Sequence, residues 1–190
     1  MENSKIIYFR TDGSTEIGQG HLIRCLALAN MLSDEYQISF YCKEIAEDII
    51  DEIHRNRYKL VRIKTESDFL KELEKDLIVV LDGYHFESEF QNQIKNKGCT
   101  LVCIDDLHDK KYDADLIINH SPTARGNDYI AQPYAMFALG LKYVILRPAF
   151  IEAARSKREI NKIENILICS GGSDPKNFTY QTLSVISNFD

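Results

Sequence analysis

The sequence predicts an α/β fold built on a doubly wound parallel sheet, from three observations. Short apolar, β-branched runs alternate with segments of helical spacing along most of the chain. The run Leu77–Asp82 is continuously apolar until its final Asp-Gly, as a strand buried on both faces requires. Polar residues of chemical interest follow directly after the apolar runs, at the carboxyl ends of strands, where open parallel sheets place their sites.

The elements follow in order. Ile6–Arg10 reads as the first strand, entering a loop with glycine and serine. His21–Leu32 reads as a helix, because Leu22, Cys25, Leu26, Ala29 and Leu32 share one face. Gln37–Cys42 is a second strand, and Ala46, Ile49, Ile50 and Ile53 form a helical stripe. Lys59–Ile63 is a third strand, with Phe69, Leu70 and Leu73 marking a short helix. Beyond Leu77–Asp82, Phe86, Phe90 and Ile94 recur at every fourth position as a helix, and Leu101–Asp105 and Leu116–Asn119 add two strands. Residues 121–138 read as loop and short turns, Tyr143–Arg147 as a strand, and Phe150–Ser156 as the start of a helix.

The polar segment 156–165 reads as a linker. Ile166–Ser170 is then a new apolar strand, followed by Gly-Gly-Ser-Asp-Pro and a helix from about Asn177. The expected organisation is a catalytic domain over 1–155, a linker over 156–165, and the first strand and helix of an incomplete second lobe over 166–190. One βα unit cannot bury both its faces alone. It would pack on the first domain, pair with another chain (a second copy through its open sheet edge, or a separate C-terminal lobe), or be the stump of a missing lobe.

Composition narrows the function classes. A chain of 190 residues, 44% of them hydrophobic, supports one core or one core and the start of another. A formal net charge of −6 gives no field to attract nucleic acid. Phosphate binding stays open, since loop amides and single arginines achieve it locally. No apolar run approaches a membrane span or a signal peptide, so a cytoplasmic protein with no membrane partner is expected. Five cysteines (Cys25, Cys42, Cys99, Cys103 and Cys169) lie in apolar stretches with no C-x-x-C, which predicts buried free thiols in a reducing compartment. Cys99 and Cys103, on or beside one strand, would stand about 13 Å apart and could not share a zinc.

The first loop, Arg10-Thr-Asp-Gly-Ser-Thr-Glu-Ile-Gly-Gln-Gly-His21, resembles two phosphate motifs and satisfies neither. Gly13 and Gly18 have P-loop spacing, but Gln19-Gly20 stands where Lys-Ser/Thr is required. Gly18 and Gly20 begin a dinucleotide fingerprint whose third glycine would fall on Ile23. What remains is two glycines at a strand-to-helix turn, followed at once by histidine. The glycines let backbone approach a ligand, and the helix beginning there aims free N–H groups at the loop. A helix N-terminus disfavours imidazolium, so His21 is expected neutral and able to accept a proton; the plainer reading is a packed or capping histidine. Arg24, one turn further on the same face, would meet a phosphate or a local carboxylate.

The other positions to inspect are Asp82 to His85, Asp105 to His108, and Asn119 to Ser121. Tyr84 could orient a sugar hydroxyl, while Asp82 could simply cap its loop. Asp105 and Asp106 with His108 could hold a metal, but strand-end carboxylates more often anchor loops. Asp113-Ala-Asp115 matches the D-x-D of metal-dependent glycosyltransferases, yet it precedes a strand and reads as chance. Gly171-Gly172-Ser173-Asp174, between a strand and a helix, suits a diphosphate held by amides, or an ordinary tight turn.

Taken together, Arg10-x-Asp-x-Ser-x-x-Ile-Gly-x-Gly-His21-x-x-Arg24-Cys25, Asp82-Gly-Tyr84, Asp105-Asp106, Ile118-Asn119, Leu146-Arg147-x-x-Phe150 and Gly171-Gly-Ser-Asp-Pro175 resemble the UDP-sugar hydrolases of pseudaminic acid biosynthesis. That family is similar to the MurG-like glycosyltransferases, with two Rossmann-like lobes in the GT-B arrangement. The match runs from about Lys5 to the end of the chain. The resemblance implies a Rossmann-like N-terminal lobe, a UDP-sugar substrate, and hydrolysis of UDP-2,4-diacetamido-2,4,6-trideoxy-β-L-altropyranose with inversion, using no metal or other cofactor. It implies that His21 is the general base and Tyr84 lies beside the sugar. It further implies that Asp12, Gly18, Gly20 and Arg24 border the substrate, and that Gly171, Gly172 and Ser173 contact the diphosphate from the second lobe. In the family most nucleotide contacts come from that second lobe, so the chain alone is expected to turn over slowly or not at all. Two alternatives stand beside the hydrolase: a glycosyltransferase lobe of the same architecture, and a non-catalytic sugar-nucleotide binding domain.

Overall fold

Alternation of side chains along the strands decides how the layers assemble. The computed structural model describes residues 5–14, 18–157, 159, 161–170, 174 and 176–187. In chain order the elements are β1 (Ile6–Thr11), α1 (Gly20–Leu32), β2 (Gln37–Cys42), α2 (Glu47–Arg55), β3 (Lys59–Arg62) and α3 (Glu66–Lys71). They continue with β4 (Ile78–Asp82), α4 (Ser88–Asn96), β5 (Thr100–Ile104), β6 (Lys111–Tyr112), β7 (Leu116–Asn119), β8 (Ile130–Ala131), β9 (Met136–Leu139), α5 (Pro148–Ala154) and α6 (Phe178–Ile186).

Seven strands form one sheet in the order β3-β2-β1-β4-β5-β7-β9, and every pairing is parallel. β6 and β8 form a separate short parallel ladder. The chain winds outward from β1 in one direction and restarts at β4 in the other. The crevice between the ends of β1 and β4 is therefore the switch point of a Rossmann-like sheet.

Successive residues point to opposite faces. Ile7, Phe9, Val80, Val102, Ile104 and Ile118 face the layer that holds Leu22, Cys25, Leu26 and Ala29 of α1 and Ile49 and Ile53 of α2. Val79, Leu81, Leu101, Cys103 and Ile117 face the other layer, with Phe69 of α3 and Ile94 of α4. Both faces are covered, which is why these strands read as continuous apolar runs. α3 is held by a capping box between Thr65 and Asp68. α1 has no side-chain cap, and its entry turn instead uses Gly18 at φ +87°, a left-handed conformation that a side chain would strain.

Four expectations differ from the structure. The seventh strand is β9, inside the segment read as loop. It is an edge strand whose Met136 and Phe137 are exposed, so the apolar signature is missing and its ladder with β7 alone defines it. Tyr143–Arg147 is not a strand: the chain turns at Gly140 (φ +89°), makes one 3₁₀ turn over Leu141–Tyr143, and enters α5 through Pro148. Ile166–Ser170 lies in no ladder among the described residues, although the helix expected after it is present as α6. Four cysteines are buried free thiols as expected, whereas Cys169 is exposed, because the segment around it is not packed. Among the described residues no helix is long and apolar enough to cross a membrane.

Candidate active site

The site grows from the strand ends by the same alternation. Val80 faces α1, so Asp82, two residues on, faces α1 as well, and its side chain is fully buried there. His21 and Arg24, on the first turns of α1, meet it. His21 Nδ1 lies 2.7 Å from Asp82 Oδ1. Arg24 donates from Nε to Asp82 Oδ2 at 2.8 Å and from Nη2 to Oδ1 at 2.7 Å, a two-pronged pairing. The Cys25 thiol donates to Oδ2 at 3.7 Å. The third nitrogen of Arg24, Nη1, donates to Asp106 Oδ1 at 2.5 Å.

These contacts fix the His21 tautomer. A carboxylate oxygen at 2.7 Å only accepts, so Nδ1 carries the hydrogen and donates it. The approach of Arg24 Nη2 to Nδ1, at 3.3 Å, is then a contact between two donors that share Asp82 Oδ1. Nε2 is left as the acceptor of the ring. A carboxylate behind a histidine that orients the ring and stabilises the imidazolium formed on proton uptake is the logic of catalytic triads. His21 thus stands in the first turn of α1 and has a carboxylate partner as well.

Arg24 is committed. Burial works against its charge, but hydrogen bonds and charge from Asp82, then Asp106, outweigh that and hold the guanidinium protonated more firmly than usual. The two readings of Arg24 thus resolve geometrically toward local carboxylates. Tyr84 sets its ring edge-on against His21, with centroids 4.5 Å apart, and remains about half exposed. Burial and the nearby Asp106 carboxylate push its phenol above the ordinary value, so it stays a hydroxyl at neutral pH. Lys110 donates to the Tyr84 carbonyl and steadies the loop.

Gly20, His21, Arg24, Tyr84 and Asp106 line one side of a cleft of about 530 Å³. His120, Arg147 and an apolar wall of Ile145, Leu146 and Phe150 complete it. The motifs Gly-x-Gly-His, Asp-Gly-Tyr, Asp-Asp and Leu-Arg-x-x-Phe, far apart in sequence, therefore meet around one opening. Asp12 has a different position. Its Oδ1 accepts from the Lys43 and Glu44 amides at 2.6 and 3.1 Å, and its Oδ2 accepts from Arg10 at 2.8 Å. It shapes the first loop from within. His85 stands over that cluster, 3.7 Å from Asp12, rather than beside His21. Gly171, Gly172 and Ser173 lie outside the described residues.

The remaining acidic candidates anchor structure. Asp105 accepts from Tyr112 and Tyr129 hydroxyls and from the Leu107 and His108 amides. Asp113 accepts from Ser88, and Asp115 from Lys95 and the Leu101 amide, so the D-x-D is used internally. Among the described residues no group of three His, Cys, Asp or Glu side chains is arranged to hold a metal ion. Two residues of the site carry little signal in the sequence: Asp82, which could equally cap its loop, and His120, marked only by its place after a strand. For Asp82 the missed signal was parity, since it shares a face with Val80 and hence with α1.

No family model matches the chain. It is 32% identical to an uncharacterized protein of Methanocaldococcus jannaschii, over 95% of this chain and 39% of that protein. It is 31% identical to the UDP-2,4-diacetamido-2,4,6-trideoxy-β-L-altropyranose hydrolase of Campylobacter jejuni, over 94% of this chain and 64% of the enzyme. It is 28% identical to the spore coat polysaccharide biosynthesis protein SpsG of Bacillus subtilis, over 91% of this chain and 52% of that protein. The chain thus spans less than two-thirds of the length of each of these relatives. Along almost all of its own length, however, it is similar to proteins named for sugar-nucleotide hydrolysis and for polysaccharide biosynthesis.

Proposed function

We propose that the chain forms the catalytic lobe of a UDP-sugar hydrolase acting, without a metal, on a UDP-linked diacetamido-trideoxy sugar in nonulosonate biosynthesis of the pseudaminic acid type. The observation that carries this reading is the 2.7 Å contact between His21 Nδ1 and Asp82, which leaves Nε2 as the acceptor on a residue lining the cleft. In the proposed step Nε2 takes a proton from water as the water oxygen bonds to the anomeric carbon. The bond from that carbon to the phosphate oxygen breaks, its electron pair leaves with UDP, and the configuration inverts. Asp82 stabilises the imidazolium formed. Tyr84, with its hydroxyl retained, orients the sugar. Similarity to the Campylobacter jejuni hydrolase supports the choice of substrate.

The test follows UDP-2,4-diacetamido-2,4,6-trideoxy-β-L-altropyranose by proton NMR in ¹⁸O-water, with and without sugar acceptors. Free sugar of inverted configuration, ¹⁸O at its anomeric carbon, and loss of the reaction in His21→Ala are expected. Release that survives His21→Ala, or turnover that appears only with an acceptor, would overturn the hydrolase reading; the second result identifies a glycosyltransferase.

A further inference from the structure

The cleft holds one cation that no contact within the described chain uses. Its charged lining consists of Arg24, Asp106 and Arg147. Arg24 and Asp106 are bonded at 2.5 Å, and the other donors of Arg24 go to Asp82. Arg147 enters from the turn ahead of α5, is exposed, and has no side-chain hydrogen bond or ion pair among the described residues.

Beside it, His120 presents a second anomaly. Ile118 faces α1, Asn119 turns to the opposite face to donate to the Tyr129 hydroxyl at 2.8 Å, and His120 returns to line the cleft. Its Nδ1 is buried with no hydrogen-bond partner. An unmet N–H is rarer in protein interiors than an unmet acceptor, so the neutral ring carries its hydrogen on Nε2. The cleft then holds two imidazoles of opposite tautomer: His21 accepting at Nε2 and His120 donating.

We propose that Arg147 and His120 form the anion subsite of the cleft and take the diphosphate of a sugar nucleotide. The guanidinium supplies charge and a planar pair of donors, and His120 Nε2–H adds a directed hydrogen bond. This deepens the hydrolase reading and rests on it for the identity of the anion. As the anomeric C–O bond breaks, negative charge gathers on the departing phosphate oxygen. A cation beside the apolar wall, once paired with the phosphate, stabilises that charge. Arg24, whose donors Asp82 and Asp106 occupy, is not needed for it.

Titration calorimetry with inorganic pyrophosphate and with UDP tests the subsite. Arg147→Gln is expected to weaken both about tenfold, and Arg147→Lys to weaken them less, because the charge is kept while the paired donors are lost. His120→Phe is expected to weaken binding several-fold, and Lys142→Gln, an exposed cation outside the cleft, to leave it unchanged. No binding to the wild type, equal binding to Arg147→Gln, or an equal loss with Lys142→Gln overturns the proposal. The two readings fail separately. Sugar release that needs His21, with pyrophosphate indifferent to Arg147, removes the subsite alone. Pyrophosphate binding that needs Arg147, with sugar release that survives His21→Ala, removes the hydrolase alone.

Discussion

Two arginine–carboxylate clusters stand at the carboxyl edge of the sheet, on opposite faces, and their difference separates scaffold from site. In the first, Arg10 at the end of β1 is wholly buried, donating to Glu66 at 2.7 and 2.9 Å and to Asp12 at 2.8 Å, with its guanidinium 5.0 Å from the Phe86 ring centroid. In the second, Arg24 divides its donors between Asp82 and Asp106, and His21 joins from the same helix. In the first cluster the nearest imidazole, His85, stands 3.7 Å from Asp12, beyond hydrogen-bond reach, and Lys43 lies 3.7 Å from Glu66. The second includes an imidazole whose remaining nitrogen is an acceptor, on a residue bordering a cleft. A buried ion pair alone says little about function; an acceptor left over at an opening says more.

The sharpest way to break the comparison is to remove the two key residues. His21→Ala is expected to cost about a thousandfold in turnover, the middle of the general-base range, with little change in melting temperature. Arg10→Met is expected to cost about 3 kcal/mol of stability by stranding the buried Asp12 carboxylate and removing the closest partner of half-buried Glu66, with the activity of the folded fraction retained. Denaturant melts and initial rates on both variants decide it: a His21 variant that only unfolds, or an Arg10 variant that is stable and inactive, would reverse the roles.

Asp82→Asn sharpens the tautomer argument. Turnover is expected to fall about a hundredfold, because an amide can orient His21 through either of its polar atoms and so no longer fixes the ring. Nitrogen-15 NMR of the wild type should show hydrogen on His21 Nδ1, and a wild-type ring protonated only on Nε2 would discredit the base assignment. Tyr84→Phe should have a smaller effect, about fivefold and chiefly on KM, the scale of one hydrogen bond to substrate.

The smallest effect is confined to acid. Burial alone would raise the Asp12 carboxyl, but Arg10 and the Glu44 and Lys43 amides outweigh it and hold the group below its ordinary range. Its folded value is thus lower than its unfolded value of about 3.9. The stabilisation is complete above the unfolded value and is lost as pH falls through the folded one. Asp12→Asn should therefore flatten the acid limb of a stability–pH curve and leave the His21 side of the crevice catalytically unchanged near neutrality.

Much of this was legible in the residues. The strands β1, β2, β4 and β5 announce themselves because both faces are buried, so most of their positions are apolar. His21 and Tyr84 stood out by their places after strands, and the structure brings them together. β9 was hidden because an edge strand with exposed Met136 and Phe137 owes its identity to backbone bonds with β7. Arg10 and Arg24 are equivalent as letters. Which one is sealed depends on Glu66 and Asp82, 56 and 58 residues away, and only the folded sheet makes those neighbours.

The pairing of β1 with β4 has a thermal consequence. Five matched residues, from Ile7 opposite Ile78 to Thr11 opposite Asp82, lock the two strands side by side at the centre of the sheet. His21 follows the first of these strands and Asp82 ends the second, so the separation of base and carboxylate is inherited from two paired strands in the interior of the sheet. Breathing of the rim can move Tyr84 without parting them. On heating, proton-accepting competence should persist until the central strands melt, and then vanish in the same transition.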